Sequence, residues 1–410
     1  MEFFQTLNTE CLPKFNGEET LTTSLTPEIE SIVAPWIAKK EHINLAIGVI
    51  RGSERWVKGW GSLPSESNPS ESNVPESNTP DGDTIFEIGS VTKVFTATLL
   101  SLLVERGKIE LTAPLSQFGD NYQKFPDTVT LESLATHTSG LPRLPENGDR
   151  AARENPQNPY ANYTFENLNE YLQNYDGKPG KTAGSISYSN LGVGILGNVL
   201  AQQCDRSYED AIIEQICRPL GLKDTSITLT QSQQARLALG YFEDGKLTPH
   251  WDLPTFAGAG ALRSTVNDLL TFLEANLQPG QTPMAEAILN THKLRHQTFA
   301  PTGGLLGLLG GVAKWIRRLQ GSPLVEREET GVGLGWFVDY LPGIDRDVRN
   351  HNGGTGGHRS FCGFIEETQT GVVVLSNYGE VLSSMFGRYS IDAVGLKILE
   401  TINLQDFDLS

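Results

Sequence analysis

The order of sequence patterns predicts an α+β fold, with one sheet drawn from both ends of the chain and a mainly helical region inserted between them. Three observations carry this expectation. Strand-like runs occupy 43–50 and 54–60 near the start. Others return near the end, from Leu334-Gly335-Trp336 onward, at 361–365 and at 371–376. Between 106 and 333 the patterns are helical. The sheet domain is therefore expected to be discontinuous, 26–105 plus 334–410, with 106–333 as a mainly helical domain.

Residues 1–25 read as a loose lead-in. Thr26-Pro27-Glu28-Ile29-Glu30 opens a helix, with proline early and acids in the first turn, and the helix runs on through Ile32, Val33, Trp36 and Ile37. The two strands that follow are joined at Arg51-Gly52-Ser53. The near-repeat of Pro, Ser, Glu and Asn at 64–80 is low-complexity polar sequence and reads as a disordered surface loop. Residues 91–104 are apolar nearly all the way round, through Val94, Phe95, Ala97, Leu99, Leu100, Leu102 and Leu103, so this helix belongs inside a domain. Helical patterns are clearest at 191–203 and 208–218, and another starts at Val266. The stretch 303–313 is wholly apolar and leads into Lys314-Trp315-Ile316-Arg317-Arg318. It is too short to span a bilayer. It reads as a buried connector, a lid over an apolar pocket, or a patch at 303–318 that touches a membrane surface. A last helix is expected over 383–401.

Composition bounds the function. The chain has 410 residues, 38% hydrophobic and 20% charged, an ordinary globular balance. Its formal charge of -17 argues against nucleic acid as a partner, because a polyanion would be repelled. The opening residues lack the basic and apolar regions of a secretory signal. Cys11, Cys204, Cys217 and Cys362 are too scattered for a disulfide framework or a zinc spacing. A cytoplasmic protein with reduced thiols is the expectation.

The chemistry is sought first at Ser90 and Lys93. Glu87-Ile88-Gly89 leads into Ser90 like the end of a strand, and Lys93 shares a helix face with Ser90 three residues on. A lysine in the first turn of a buried helix must find hydrogen-bonding partners or give up its proton. Beside it, a serine at the helix start is placed to act as a nucleophile. A second proton-handling group is sought in a Tyr-x-Asn pattern, which occurs at Tyr160-Ala161-Asn162 and at Tyr188-Ser189-Asn190. The second copy opens onto the apolar run 191–197, and a buried helix start pins a side chain better than a polar loop, so Tyr188 with Asn190 is preferred. The third element is Asn350-His351-Asn352-Gly353-Gly354-Thr355-Gly356-Gly357. Glycines there let a substrate approach closely and expose N–H groups to a developing oxyanion. His292 and His296 have an i,i+4 spacing that suits a metal, but with no third ligand in view they read as a solvated helix face. His358 reads either as a substrate contact or as part of an exposed turn. His137 is expected to brace its loop by hydrogen bonding.

Together these motifs resemble the class C β-lactamase and DD-peptidase superfamily. Phe86-Glu87-Ile88-Gly89-Ser90-Val91-Thr92-Lys93 looks like its first motif and Tyr188-Ser189-Asn190 like its second. The 134–142 loop resembles the one that follows the nucleophile helix in that group, and the run 258–265 and the glycine strand from His351 resemble later landmarks. The resemblance implies a transpeptidase-like fold, an antiparallel sheet flanked by helices, and a serine hydrolase that works through an acyl-enzyme. In that reading Ser90, Lys93 and Tyr188 are catalytic, Asn190 holds Lys93 and a substrate amide, and His351, Asn352, Gly353 and Gly354 bind substrate. The N–H groups of Ser90 and Gly354 form the oxyanion hole. No metal and no organic cofactor are implied. The family's β-lactamases generally carry Lys-Thr-Gly where this chain has His351-Asn352-Gly353, and a histidine is not a fixed positive charge. The expected substrate is therefore a peptide containing D-amino acids. A carboxylester or weak β-lactam activity is the alternative, and a non-catalytic penicillin-binding or scaffolding protein is the alternative of another class.

Overall fold

A computed structural model of the chain describes residues 21–38, 42–63, 79–178, 180–297, 330–379 and 390–404. Its centre is an antiparallel sheet. The strands in chain order are β1 (Leu45–Arg51), β2 (Glu54–Trp60), β3 (Phe86–Glu87), β4 (Gly240–Tyr241), β5 (Leu247–Thr248), β6 (Arg263–Ser264), β7 (His296–Gln297), β8 (Gly331–Val332), β9 (Phe337–Leu341), β10 (Arg346–Gly354), β11 (Arg359–Ile365) and β12 (Thr370–Ser376). Eight of them form the main sheet in the order β2-β1-β12-β11-β10-β9-β8-β7, while β3 pairs β6 and β4 pairs β5. The two chain ends meet at β1 and β12, where Leu45 lies opposite Ser376.

Side chains alternate across this sheet with the period of two that a pleated strand imposes. Along β12, Val373 and Leu375 join one apolar core, and Val372 and Val374 join the other. The second core is closed by helix α1 (Leu21–Ile37), through Leu25, Ile29, Val33 and Trp36, and by the terminal helix Ile391–Leu404, through Val394, Ile398 and Ile402. The first core is closed by helix Val266–Leu277 and by α2 (Thr92–Glu105). Every residue of α2 from Thr92 to Leu103 is buried, as its all-round apolarity requires. Phe95 stacks on Phe272 at 4.3 Å between ring centroids, fixing α2 to the sheet-covering helix.

Several elements differ from expectation. β7 and β8 extend the sheet from within the stretch assigned to the helical domain. Helix α1 begins at Leu21, so Pro27 lies inside it rather than at its first turn. The helical run from Tyr208 widens into a π turn at Ile213–Cys217 before Arg218–Leu220. Pro219 has no N–H to return to the preceding turn, and widening the turn avoids its ring's clash with a carbonyl there. The terminal helix is described from Ile391 to Leu404, and its expected first residues, 383–389, lie outside the described residues. So do 64–78 of the polar repeat and the whole apolar stretch 303–318. No helix among the described residues is long and apolar enough to cross a membrane.

Candidate active site

Ser90 sits in a single 3-10 turn, Gly89–Val91, between β3 and α2. Gly89 takes φ +48°, and a Cβ there would lie 2.6 Å from the Gly354 nitrogen, so only glycine lets the turn and β10 come this close. From the other side, a Cβ on Gly353 would overlap the Ile88 carbonyl and lie 2.9 Å from the Ser90 nitrogen. The two glycines thus bring the Ser90 amide and the end of β10 together. β9 pairs with β10 only as far as Asn350, which leaves the edge of residues 351–354 turned toward the serine.

The Lys93 side chain is 1% exposed and makes three contacts. Its Nζ donates to Asn190 Oδ1 at 2.9 Å and to the Ala259 carbonyl at 2.6 Å, and it lies 3.0 Å from Ser90 Oγ. Burial, reinforced by the Arg143 charge, pushes its pKa well below the ordinary amine range. A neutral amine has two N–H groups and one lone pair. With both N–H groups spent on Asn190 and Ala259, the lone pair is left for the Ser90 hydroxyl.

The Tyr188 side chain faces Ser90. Burial raises its pKa, against the opposing pull of the Ser90 side chain and Arg143, so it is a neutral phenol that can donate a proton. Lys93 Nζ lies 4.8 Å from the centre of its ring and the Arg143 guanidinium carbon 5.2 Å. His137 packs on the same ring at 4.4 Å, and its Nδ1 accepts from the Ser189 amide, bracing the loop to the start of helix Asn190–Gln203. Ser189 caps that helix by accepting from the Gly192 amide.

His351 is fully buried, and its ring lies 6.3 Å from Tyr188 and 5.3 Å from Phe337. Nδ1 lies 2.6 Å from the Asn352 carbonyl and is the donor there, which leaves Nε2 as an acceptor with no partner among the described residues. Burial, then the nearby Lys93, brings its pKa down to about 3, with only the Asn352 carbonyl opposing. His351 is therefore neutral near pH 7.

The structure brings Ser90, Lys93, Tyr188, Asn190, His351, Gly353 and Gly354 together. It does not bring Asn352. That side chain donates to Asp392 of the terminal helix at 2.6 Å, on the opposite face of the sheet from His351. A period of two forbids neighbours on one strand from sharing a face. His358 is neither exposed nor in the cleft; it is buried at the turn after β10. His292 and His296 share no helix face either. His292 ends helix Ala285–His292, buried between Asn276 and Glu366, whereas His296 lies on β7.

Two participants escaped the sequence reading. Tyr160, the rival set aside, reaches the site as well: its side chain stands beside Asn190, the residue that accepts from Lys93. Arg143 follows the 134–142 loop and, though exposed, hangs over Tyr188 at the mouth of the cleft. The approach of Tyr160 to Asn190 spans thirty residues of chain, and nothing local announces it.

Comparison with known proteins decides the family. The model of the family described as Beta-lactamase matches residues 29–393. The chain belongs to the β-lactamase family. A β-lactamase of Pseudomonas fluorescens is 27% identical over 370 residues, covering 87% of this chain and 94% of that one. The D-alanyl-D-alanine-carboxypeptidase/endopeptidase AmpH of Escherichia coli is 32% identical over 239 residues, 57% of either chain. Among solved structures, the class C β-lactamase of Rhodobacter sphaeroides superposes with a TM-score of 0.69 at 23% identity, covering 94% of this chain and all of that one. A β-lactamase/D-alanine carboxypeptidase from Pseudomonas syringae gives 0.70 at 19% identity, over 92% of this chain and 99% of that one. This β-lactamase-family chain is a serine hydrolase of the β-lactamase/DD-peptidase type.

Proposed function

We propose that this family member is a carboxypeptidase-type hydrolase that acylates Ser90 and acts on peptides ending in a D-amino acid with a free carboxylate. The observation that carries the reading is the distribution of positive charge. His351 is neutral, Lys93 is buried with its pKa held well below the ordinary amine range, and the exposed cation at the cleft mouth is Arg143, which has no carboxylate partner among the described residues. A guanidinium in that place suits a substrate carboxylate held two-pronged. The relative named as a D-alanyl-D-alanine carboxypeptidase/endopeptidase supports the same substrate class.

The steps balance. The Lys93 lone pair takes the Ser90 proton while Oγ attacks the scissile carbonyl. The Ser90 and Gly354 N–H groups hold the oxyanion. Tyr188 gives its proton to the departing amine and regains one from Lys93, which ends neutral. Water then attacks the acyl-Ser90, its proton passes to the Lys93–Tyr188 pair, and Ser90 takes a proton back as the acid leaves. Proton transfer of this kind contributes roughly 10²–10⁴-fold in rate. A β-lactam is the second reading, favoured by relatives bearing that name over most of the chain.

The test follows D-alanine release from diacetyl-L-lysyl-D-alanyl-D-alanine and from its C-terminal amide, with wild type and Ser90→Ala. Expected is turnover of the acid by wild type alone, and at least tenfold slower turnover of the amide. Equal rates on acid and amide would remove the carboxylate argument. Equal turnover by wild type and Ser90→Ala would exclude Ser90 as the nucleophile, and no turnover above background by either would favour a non-catalytic binding protein.

A further inference from the structure

Behind the serine turn lies a second cluster that the hydrolytic site does not use. Glu87 on β3, His250 in the loop after β5, and His358 at the turn between β10 and β11 each offer a ligand atom, and these atoms all lie within 4.8 Å of one another. The Glu87 and His358 side chains are 3% and 1% exposed. Neither nitrogen of His358 has a hydrogen-bond partner among the described residues, while His250 Nδ1 faces the Glu87 carboxylate, 3.3 Å from Oε1. The rings of the two histidines lie 5.5 Å apart. Leaving a buried polar atom unpaired costs about 1–3 kcal/mol, so two on one buried ring beside a carboxylate require an explanation.

We infer that Glu87, His250 and His358 form a binding site for a zinc-class divalent cation. Two histidines and a carboxylate are a common protein ligand set for zinc with a position left for water. Metal bonds of about 2.0–2.1 Å place tetrahedral ligands about 3.3 Å apart, which is the spacing Glu87 Oε1 and His250 Nδ1 already have. His358 closes the site by drawing its ring toward the pair. Orienting contacts behind the ligands are present too. Thr355 Oγ1 donates to Glu87 Oε2 at 2.6 Å and the Trp251 amide to Oε1 at 2.8 Å. Arg263, 3.6 Å from Oε1, is the competing cation, but its guanidinium also donates to the carbonyls of Ile227 and Trp251 and can remain there.

The consequence lies in the fold. Glu87 leads into the Ser90 turn, and Thr355 and His358 lie just past Gly354. A metal there would pin together the two segments whose amides face the reacting carbonyl, as a brace and not as a reactant. This inference does not rest on the substrate assigned above.

The experiment uses the full chain, stripped with chelator, reloaded with zinc chloride and desalted. Zinc is measured by mass spectrometry, and the cobalt(II) form by visible absorption. Wild type and Ser90→Ala should retain one zinc per chain and give the intense cobalt bands of a four- or five-coordinate site. His358→Phe, which keeps an aromatic ring in the pocket, and His250→Gln should bind at least tenfold more weakly, while His296→Ala binds like wild type. Zinc should also raise the Tm of wild type and not that of His358→Phe. Wild type that retains no zinc, or a cobalt form with only the weak spectrum of the hydrated ion, would overturn the inference. So would zinc retained equally by His358→Phe.

Discussion

Lys93 can act as a base near neutral pH only because its surroundings remove its charge. Burial is the larger cause and the Arg143 guanidinium the second. The direction of the rate profile follows. Activity should rise as pH climbs through the lowered Lys93 pKa, then hold, because the Tyr188 phenol is pushed up and stays protonated well into alkali. Arg143→Ala removes a positive neighbour, so Lys93 should hold its proton more tightly and the acid limb should move to higher pH. If Arg143 also grips the substrate carboxylate, the same variant should raise KM for the acid peptide and leave that for the amide alone. A pH profile of kcat/KM for wild type and Arg143→Ala on both peptides separates the two effects. An acid limb that does not move would mean the guanidinium is too well solvated to be felt at Lys93.

At the scale of elements, β10 sorts its residues by face. His351 and Gly353 look to the serine, and Asn352 looks to Asp392 of the terminal helix. Gly353→Ala should therefore lower kcat/KM by roughly 10²-fold, since a displacement of about 1 Å at a catalytic strand has that effect. Asn352→Ala should leave kcat/KM within about twofold and lower stability by about 1 kcal/mol, the usual worth of one hydrogen bond. Steady-state kinetics beside urea unfolding checks both, and a large kinetic loss in Asn352→Ala would contradict the face assignment. The same strand shows what a sequence discloses. Ser90, in the 3-10 turn that leads into α2, and Lys93, in the first turn of α2, are three residues apart, and Tyr188 and Asn190 flank one helix cap, so local spacing and the buried helix starts select them. Whether His351 or Asn352 faces the cleft depends on which side of the sheet α2 covers, and that is a property of packing. Tyr160, Arg143 and the Glu87–His250–His358 cluster are joined only by long-range contacts, with 163 residues lying between Glu87 and the Trp251 whose amide it accepts. β7 and β8, of two residues each, are too short to leave a periodic signal.

The whole molecule ties its two ends together before it can have a site. β1 pairs with β12, and the Asn44 amide donates to Asn377 Oδ1 at 2.7 Å across most of the chain. Ser90 and His351 meet only once that sheet is built, so activity and global structure should be lost together. Acid is the condition that should reveal this. Burial lowers the pKa of His137, His292, His351 and His358 below the ordinary histidine value of about 6.5, in His292 even against the Glu366 carboxylate beside it. The unfolded chain therefore binds protons below pH 6.5 that the folded chain refuses. Stability is fully present above pH 6.5 and is lost as pH falls from there toward 3, the value His351 reaches. A histidine contributes a slope of up to about 1.4 kcal/mol per pH unit, and only between its own folded and unfolded pKa values. Urea midpoints at pH 7.5, 6.5 and 5.5 should stay level over the first step and fall over the second, with hydrolysis and far-ultraviolet signal failing at the same urea concentration. A midpoint unchanged at pH 5.5 would mean these histidines take up protons without unfolding. His351→Gln keeps an uncharged amide in that place, so it should flatten part of the pH 6.5 to 5.5 fall, and the remainder belongs to the other buried histidines, His137, His292 and His358.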